Sequence, residues 1–137
     1  MTNKTNKSQR VLVVDPNPDH RGKLGAALAQ AGFDPVLAAT GEQGLVMLRN
    51  RNRRVDWLIT QADLPGLVDG SMLADEFHHV HPGRPVLYAV APGEKGSATE
   101  QDTLLDTPLL PAQVVERVLA LSKGQGVHAS GLPRWAA

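Results

Sequence analysis

Three histidines lie close together in this sequence and could bind a metal ion. They are His78, His79 and His81, in and just after a segment whose apolar residues recur at helical spacing. On a helix, His78 and His81 share one face, but no Cys, Asp or Glu completes the ligand set at a suitable offset. We therefore interpret the three histidines as an exposed helix end that precedes a turn.

Positive charge is concentrated in a second stretch, which could contact phosphates or an acidic partner. The stretch contains Arg49, Arg51, Arg53 and Arg54. No aromatic residue is interleaved with these arginines, and the chain as a whole is electrically balanced. The pattern favours a solvated helix end followed by a loop, because positive charge is favourable at a helix C-terminus.

The composition excludes several classes of site and partner. The chain has 137 residues, no cysteine, 14 basic and 14 acidic residues, and a formal net charge of +0. Without cysteine there is no disulfide, thiolate zinc site or cysteine nucleophile, and the charge balance argues against nucleic acid as a partner. No apolar run approaches the ~18 residues of a membrane span. We expect a cytoplasmic domain that does not enter a membrane.

Short apolar runs alternate with segments of helical periodicity along the chain. Strands are predicted at residues 11–14, 35–39, 55–60, 85–91 and 104–105. Helices are predicted at residues 19–31, 41–50, 71–80 and 111–123. The stretch 92–102 is polar and rich in glycine, so the fourth helix in order is expected to be shortened or irregular. We predict a disordered head (1–9), one folded domain (10–123) and a flexible tail (124–137).

This alternation predicts an α/β fold with a single, doubly wound sheet of five parallel strands. In such a sheet a ligand crevice lies at the carboxyl ends of the strands. The residues there are Asp15, Gln61, Val90 and Thr107. A general acid or nucleophile needs a second positioned group, which the other three do not supply. We therefore expect Asp15 to cap a helix or to form hydrogen bonds within a loop.

Four features, in this order and spacing, resemble the receiver domain of two-component response regulators. They are the run at 11–15, the segment 56–65 followed by Asp69-Gly70, the strand at 85–91 and the Pro108 that follows the fifth strand. The resemblance covers residues 10–123. It implies a flavodoxin-like fold with strand order 2-1-3-4-5.

The resemblance also implies a phosphorylation site, and the matching positions here depart from it. Receivers hold Mg²⁺ with an acidic pair, accept a phosphoryl group on an Asp, and use a Thr or Ser and a Lys to stabilise its oxygens. Asp15 retains the first acid, whereas Pro16 replaces the second. Gln61 stands at the acceptor position, Val90 at the hydroxyl position and Thr107 at the lysine position.

Two other assignments of the acceptor leave this conclusion unchanged. The loop after the third strand has one residue more than the family pattern. Counting back from Gly70 instead of Pro65 places Ala62 at the acceptor position, and alanine cannot accept a phosphoryl group. Asp63 lies two residues past Gln61 and could be a shifted acceptor, although the turn residues that follow suggest that the strand has already ended.

The resemblance thus implies a degenerate receiver, or pseudo-receiver, that is not an enzyme and binds no cofactor, Mg²⁺ included. We predict a stand-alone signalling module that acts by protein–protein interaction without phosphorylation. Its partners would be signalling proteins such as a histidine kinase or an output protein, and a homodimer stays open. Two alternatives remain: a receiver phosphorylated on Asp63, and a module that binds a small ligand at the strand ends. No glycine-rich phosphate loop follows the first strand to support the second.

Overall fold

The structure is a computed structural model that describes residues 8–94 and 102–130. Its strands are β1 (Arg10–Val14), β2 (Asp34–Ala38), β3 (Trp57–Gln61), β4 (Leu87–Val90) and β5 (Thr103–Asp106). Its helices are α1 (Pro18–Gln30), α2 (Gly41–Arg49), α3 (Gly70–Val80) and α4 (Pro111–Ser130). These nine predicted strands and helices are present, with ends that differ by at most two residues except at the end of α4.

The five strands form one parallel sheet in the order β2-β1-β3-β4-β5, which confirms the predicted topology. The burial of the strands explains this order. β1 and β4 are buried along nearly their whole length, as is β3 up to Thr60, whereas β2 and β5 are partly exposed. Continuous apolar runs suit the centre of a sheet that is covered on both faces.

Alternate residues of each strand face two separate hydrophobic layers. Leu12, Leu58 and Tyr88 pack on the side of α2 and α3, around Leu73 and Phe77 of α3. The neighbouring residues of the same strands pack on the side of α1 and α4; they include Val13, Trp57, Ile59, Leu87 and Ala89. The sheet therefore holds the ends of its strands in a fixed arrangement between two pairs of helices.

Three helices begin at a residue whose side chain caps the free main-chain N–H groups of the first turn. Asn17 caps α1, Thr40 caps α2 and Asp69 caps α3. The pKa of Asp69 lies below its ordinary value because the Ser71 hydroxyl and the main-chain N–H of Met72 donate hydrogen bonds to its carboxylate. These caps explain why each helix begins soon after the strand or loop that precedes it.

The structure adds detail at both ends of the domain. Gln9, in the segment predicted as a head, accepts hydrogen bonds from the Trp57 indole N–H (3.0 Å) and the Ser122 hydroxyl (2.9 Å). This residue is anchored because a buried indole N–H needs an acceptor. Helix α4 continues to Ser130, past the predicted end at Lys123, since the sequence has no proline between 112 and 130 to stop it. Residues 1–7 and 131–137 lie outside the described residues.

The predicted irregular helix between β4 and β5 lies largely outside the described residues, which resume at Asp102. Residues 91–94 form a turn in which the Glu94 N–H donates to the Ala91 carbonyl and Gly93 has a φ of 86°. No helix in the described part of the chain combines the length and apolar character that a membrane crossing requires.

Candidate functional site

An open cleft of about 600 Å³ lies at the carboxyl ends of the strands, where the sequence predicted a crevice. Residues after β1, after β3 and after β5 form its walls. The lining residues are Asp15, Pro16, Asn17, His20, Gln61, Asp63, Thr107, Pro108 and Leu109. The parallel sheet brings these segments together because its strands all end at the same edge.

Asp15 is buried at the base of the cleft, with 2% of its surface exposed. Its Oδ1 accepts a hydrogen bond from the main-chain N–H of Asn17 (2.9 Å), and its Oδ2 accepts one from the Gln61 side-chain amide (3.3 Å). The main-chain carbonyl of Asp15 accepts a further bond from Arg21 (2.8 Å). Both carboxylate oxygens are thus engaged in holding the turn between β1 and α1 and the end of β3.

Gln61, the last residue of β3, is half-buried and directs its NH₂ group towards Asp15. An amide nitrogen donates hydrogen bonds and cannot coordinate a cation, whereas an amide oxygen could. Pro16 follows Asp15 and is exposed; its ring provides no ligand atom. The two residues beside the Asp15 carboxylate therefore contribute one donor and one apolar ring to the cleft.

Thr107 and Val90, the other two predicted pocket residues, have different positions. Thr107 lines the cleft, and its main-chain N–H donates to the Val90 carbonyl (2.8 Å). Val90 itself is 5% exposed and packs in the hydrophobic layer on the side of α2 and α3. The structure therefore assembles Asp15, Pro16, Gln61 and Thr107 at one site but turns the Val90 side chain into the core.

Two further side chains line the cleft. Asp63 lies in the bend after β3, is exposed, and faces the same cleft as Asp15 although the strand has ended at Gln61. His20, in the first turn of α1, was missed by the reasoning from sequence. The signal that could have found it is its place in the first helical turn after β1, which borders the crevice in a doubly wound sheet.

The oxygen donors of the cleft do not fit Mg²⁺, which the resemblance to receivers implies. Mg²⁺ needs octahedral coordination by hard oxygen ligands. Both oxygens of Asp15 already accept hydrogen bonds, and Gln61 directs a donor towards it. Across the described ranges 8–94 and 102–130, no cluster of three or more His, Cys, Asp or Glu side chains could hold a metal ion.

The three histidines are held apart by separate main-chain carbonyls. His78 Nε2 lies 3.1 Å from the Arg84 oxygen, His79 Nδ1 3.0 Å from the Asp75 oxygen, and His81 Nε2 2.9 Å from the Val55 oxygen. Burial lowers the pKa of His81, and the positive charges of Arg84 and Arg54 lower it further. The three rings therefore converge on no common point. Only His79 is exposed as predicted, whereas His78 and His81 are half-buried because their rings reach the Arg84 and Val55 carbonyls.

Comparison with known proteins identifies the family. The chain matches no family model. It is 34% identical over 100 residues to the transcriptional regulatory protein GlrR of Escherichia coli, a match that covers 71% of this chain and 22% of GlrR. It is 30% identical over 83 residues to the response regulator receiver protein Anae109_2439 of Anaeromyxobacter, which covers 61% of this chain and 34% of that protein.

A solved structure shows the same fold. The response regulator receiver protein from Sinorhizobium medicae superimposes with a TM-score of 0.75 at 22% identity, over 84% of this chain and 94% of that one. The chain spans only a fifth to a third of the length of the two curated relatives. Sequence and fold agree, and the chain belongs to the receiver domains of two-component response regulators.

Proposed function

We propose that this receiver domain signals by protein–protein contact without being phosphorylated at the usual site. The observation that carries the proposal is the hydrogen bond from the Gln61 amide to Asp15 Oδ2 (3.3 Å). Gln61 stands where receivers have the phosphate-accepting carboxylate, and a neutral amide has no anionic oxygen with which to attack phosphorus. The amide also engages one of the two Asp15 carboxylate oxygens.

The other groups around the cleft support the same proposal. Thr107 stands at the position of the receiver lysine and brings no positive charge, and the Val90 side chain packs in the core and brings no hydroxyl. Each such group normally contributes about 3 kcal/mol to stabilising the charge of a transferring phosphoryl group. Without them, and without a fitted Mg²⁺ site, phosphoryl transfer at Gln61 or Asp15 has no stabilised transition state.

The scaffold that remains is suited to recognition. We infer that its partner is a signalling protein in the cytoplasm, either a histidine kinase or an output protein, and that the domain has no enzymatic activity of its own. The fold and the matches to a transcriptional regulatory protein and a receiver protein support this setting. Whether two copies associate is measured directly by sedimentation.

Phosphotransfer to the purified chain tests the proposal. The chain is incubated with acetyl phosphate and Mg²⁺, and its intact mass is measured, with a phosphorylatable receiver treated in parallel to show that the donor is active. We expect no mass increase for this chain. A gain of one phosphoryl group on the wild-type chain would overturn the proposal.

Asp63 supports a second candidate function, a receiver that is phosphorylated at a shifted position. Its carboxylate is exposed and lines the same cleft as Asp15 and Gln61, so a phosphodonor could reach it. The same assay decides this case, because a phosphoryl gain that disappears in Asp63→Asn would assign the site. The matched control is Asp69→Asn, which removes the carboxylate of another exposed residue outside the cleft lining, at a helix N-cap where Asn is also favourable.

The size of the cleft supports a third candidate, a small-ligand site. Its volume of about 600 Å³ lies within the range of pockets that hold small molecules. A thermal-shift screen against nucleotides tests this function, since a ligand that binds only the folded state raises Tm in a saturable way. A saturable rise that is lost in Gln61→Ala would place the ligand in the cleft.

A further inference from the structure

A basic groove lies at the pole of the domain opposite the cleft, where the strands begin. One of its cavities, of about 630 Å³, lies between the ends of α2 and α3; Arg49, Arg51 and Arg54 are among its lining residues. A second cavity, of about 420 Å³, is lined by Arg10, Arg53 and Arg54, among others. Arg54 borders both cavities. We call the two cavities and the Arg54 side chain between them the basic groove.

The walls of the basic groove carry an excess of positive charge. Five arginines line the two cavities, against two carboxylates, Glu76 and Asp56. Arg49 lies 3.3 Å from Glu76, and Arg10 lies 2.8 Å from Asp34. Arg51, Arg53 and Arg54 form no ion pair with any carboxylate of the described residues, and all three are exposed.

The arginines are close enough to affect their neighbours. Burial lowers the pKa of Arg84; the nearby Asp56 carboxylate raises it, and the positive charge of Arg54 lowers it. Burial and the positive charges of Arg84 and Arg54 lower the pKa of His81. Like charges this close disfavour one another, so an anionic group placed in the groove would relieve the repulsion. A helix end needs only one positive side chain to balance its dipole, and this cluster exceeds that need.

The shape and apolar content of the groove indicate the class of ligand. The first cavity also contains Leu48 and Val80, and 48% of the Val80 surface is exposed. An aliphatic side chain could therefore pack between the two helix ends while carboxylates contact the arginines. Arg54 also lines the second cavity, so the arginines extend over two neighbouring cavities. No Phe, Tyr or Trp side chain lines either cavity to stack with a base, and His79 is the one imidazole in the lining of the two cavities.

We propose that the basic groove binds an acidic segment of a partner protein, one in which Asp or Glu residues flank an aliphatic residue. The acidic residues would pair with Arg51, Arg53 and Arg54, and the aliphatic residue would contact Leu48 and Val80. The inference rests on the proposed function in one respect: it takes the binding partner to be a protein. The surface of this domain that the partner would contact lies away from the cleft.

A titration followed by NMR tests the proposal on the full chain. The ¹⁵N-labelled protein is titrated with a short peptide in which glutamates flank a central leucine, at low and at physiological ionic strength. We expect saturable shifts of the backbone amides of residues 48–54 and 79–81, with weaker binding at the higher ionic strength because salt screens exposed charges. A peptide with lysines in place of the glutamates should cause no such shifts.

Charge-reversal variants separate the groove from the rest of the surface. Arg51→Glu combined with Arg54→Glu should weaken the binding by at least about tenfold, because it replaces attraction with repulsion at the contact. The control combines Lys23→Glu on α1 with Arg117→Glu on α4, two exposed positions that give the same change in net charge; its binding should stay within about twofold of wild type. Val80→Ser should weaken the binding severalfold.

Several outcomes would overturn the proposal. They are the absence of shifts with the acidic peptide, shifts that centre on the cleft around Asp15, and an equal loss in the control variant. Stronger binding of ATP or of single-stranded DNA at the same ionic strength would assign the groove to nucleotides or nucleic acid instead. The phosphotransfer assay does not involve the groove, so a failure here and a failure of the proposed function are separate results.

Discussion

Replacing Gln61 with Glu is the sharpest perturbation of the cleft, because it keeps the shape of the side chain and changes only its chemistry. The wild-type amide donates a hydrogen bond to Asp15 Oδ2 (3.3 Å), and Asp15 is only 2% exposed. In Gln61→Glu the donor becomes a carboxylate oxygen. Two negatively charged oxygens then face each other at about the distance of the original bond.

The expected cost follows from two terms. The lost bond to a charged group is worth about 2 kcal/mol, and two unit charges about 4 Å apart near a protein surface repel by about 4 kcal/mol. The pair relieves part of this repulsion by taking up a proton or by turning one side chain towards the open cleft. We therefore expect the free energy of unfolding at pH 7 to fall by about 3 kcal/mol, which lowers Tm by roughly 10 °C.

The pH dependence of this loss has a definite sign. The repulsion raises the pKa of the Asp15/Glu61 pair in the folded variant, so the folded state retains a proton that the unfolded state releases. The loss of stability is therefore largest above the raised pKa and shrinks as the pH falls through it. Millimolar Mg²⁺ should also restore stability to the variant, since two facing carboxylates can share a cation, and should leave the wild type unchanged.

Urea unfolding followed by tryptophan fluorescence measures the effect, because Trp57 is fully buried. The matched control is Gln113→Glu, the same substitution at an exposed position in the first turn of α4, where a negative charge is slightly favourable. If Gln61→Glu is as stable as the wild type at pH 7, then the amide does not hold Asp15, and the observation that supports the proposed function is lost.

Three further predictions concern stability. Gly41→Ala should destabilise the fold by about 3 kcal/mol, because the added Cβ would overlap the main-chain carbonyl of Val68. Gly22→Ala should stabilise α1 by about 0.7 kcal/mol, because there is open space around the added Cβ. Chemical denaturation measures both changes in the free energy of unfolding, and equal changes would contradict the packing. Asn17→Ala should cost about 1 kcal/mol through loss of the α1 cap, and a Tm unchanged from wild type would show that the cap is dispensable. Because burial lowers the pKa of His81, the unfolded state binds the proton more readily, and stability should rise with pH up to about 6.5 and level off above it. His81→Gln should flatten this slope of stability against pH. An unaltered slope would assign the titration to another group.

Much of the fold follows from local patterns. The apolar run before Asp15 has to be buried on both faces, and that requirement alone places β1 in the middle of a covered sheet. Amphipathic spacing predicts where each helix begins to within one residue. The predicted end of α4 lies seven residues before the observed one, because a composition rich in Gly and Ser lowers helix propensity without stopping a helix that is already formed.

The candidate site could be predicted in part. The rule that parallel strands end at one edge brings Asp15, Gln61 and Thr107 together from sequence alone. It does not say that the Gln61 amide donates to Asp15, that Val90 turns into the core, or that Asp63 lines the cleft after its strand has ended. Those orientations depend on the alternation within β4, the bend after β3 and the packing of neighbouring segments.

The amino-acid sequence by itself determined the order of the elements and the family, because both depend on residue type and short spacing. Only the tertiary structure decided which distant groups meet. Asp15 and Gln61 are 46 residues apart in the sequence. Arg10 and Arg54, which line one cavity of the basic groove, are separated by a similar length of chain. Such contacts arise when the sheet stacks strands side by side, and no local periodicity records which side chains then face each other.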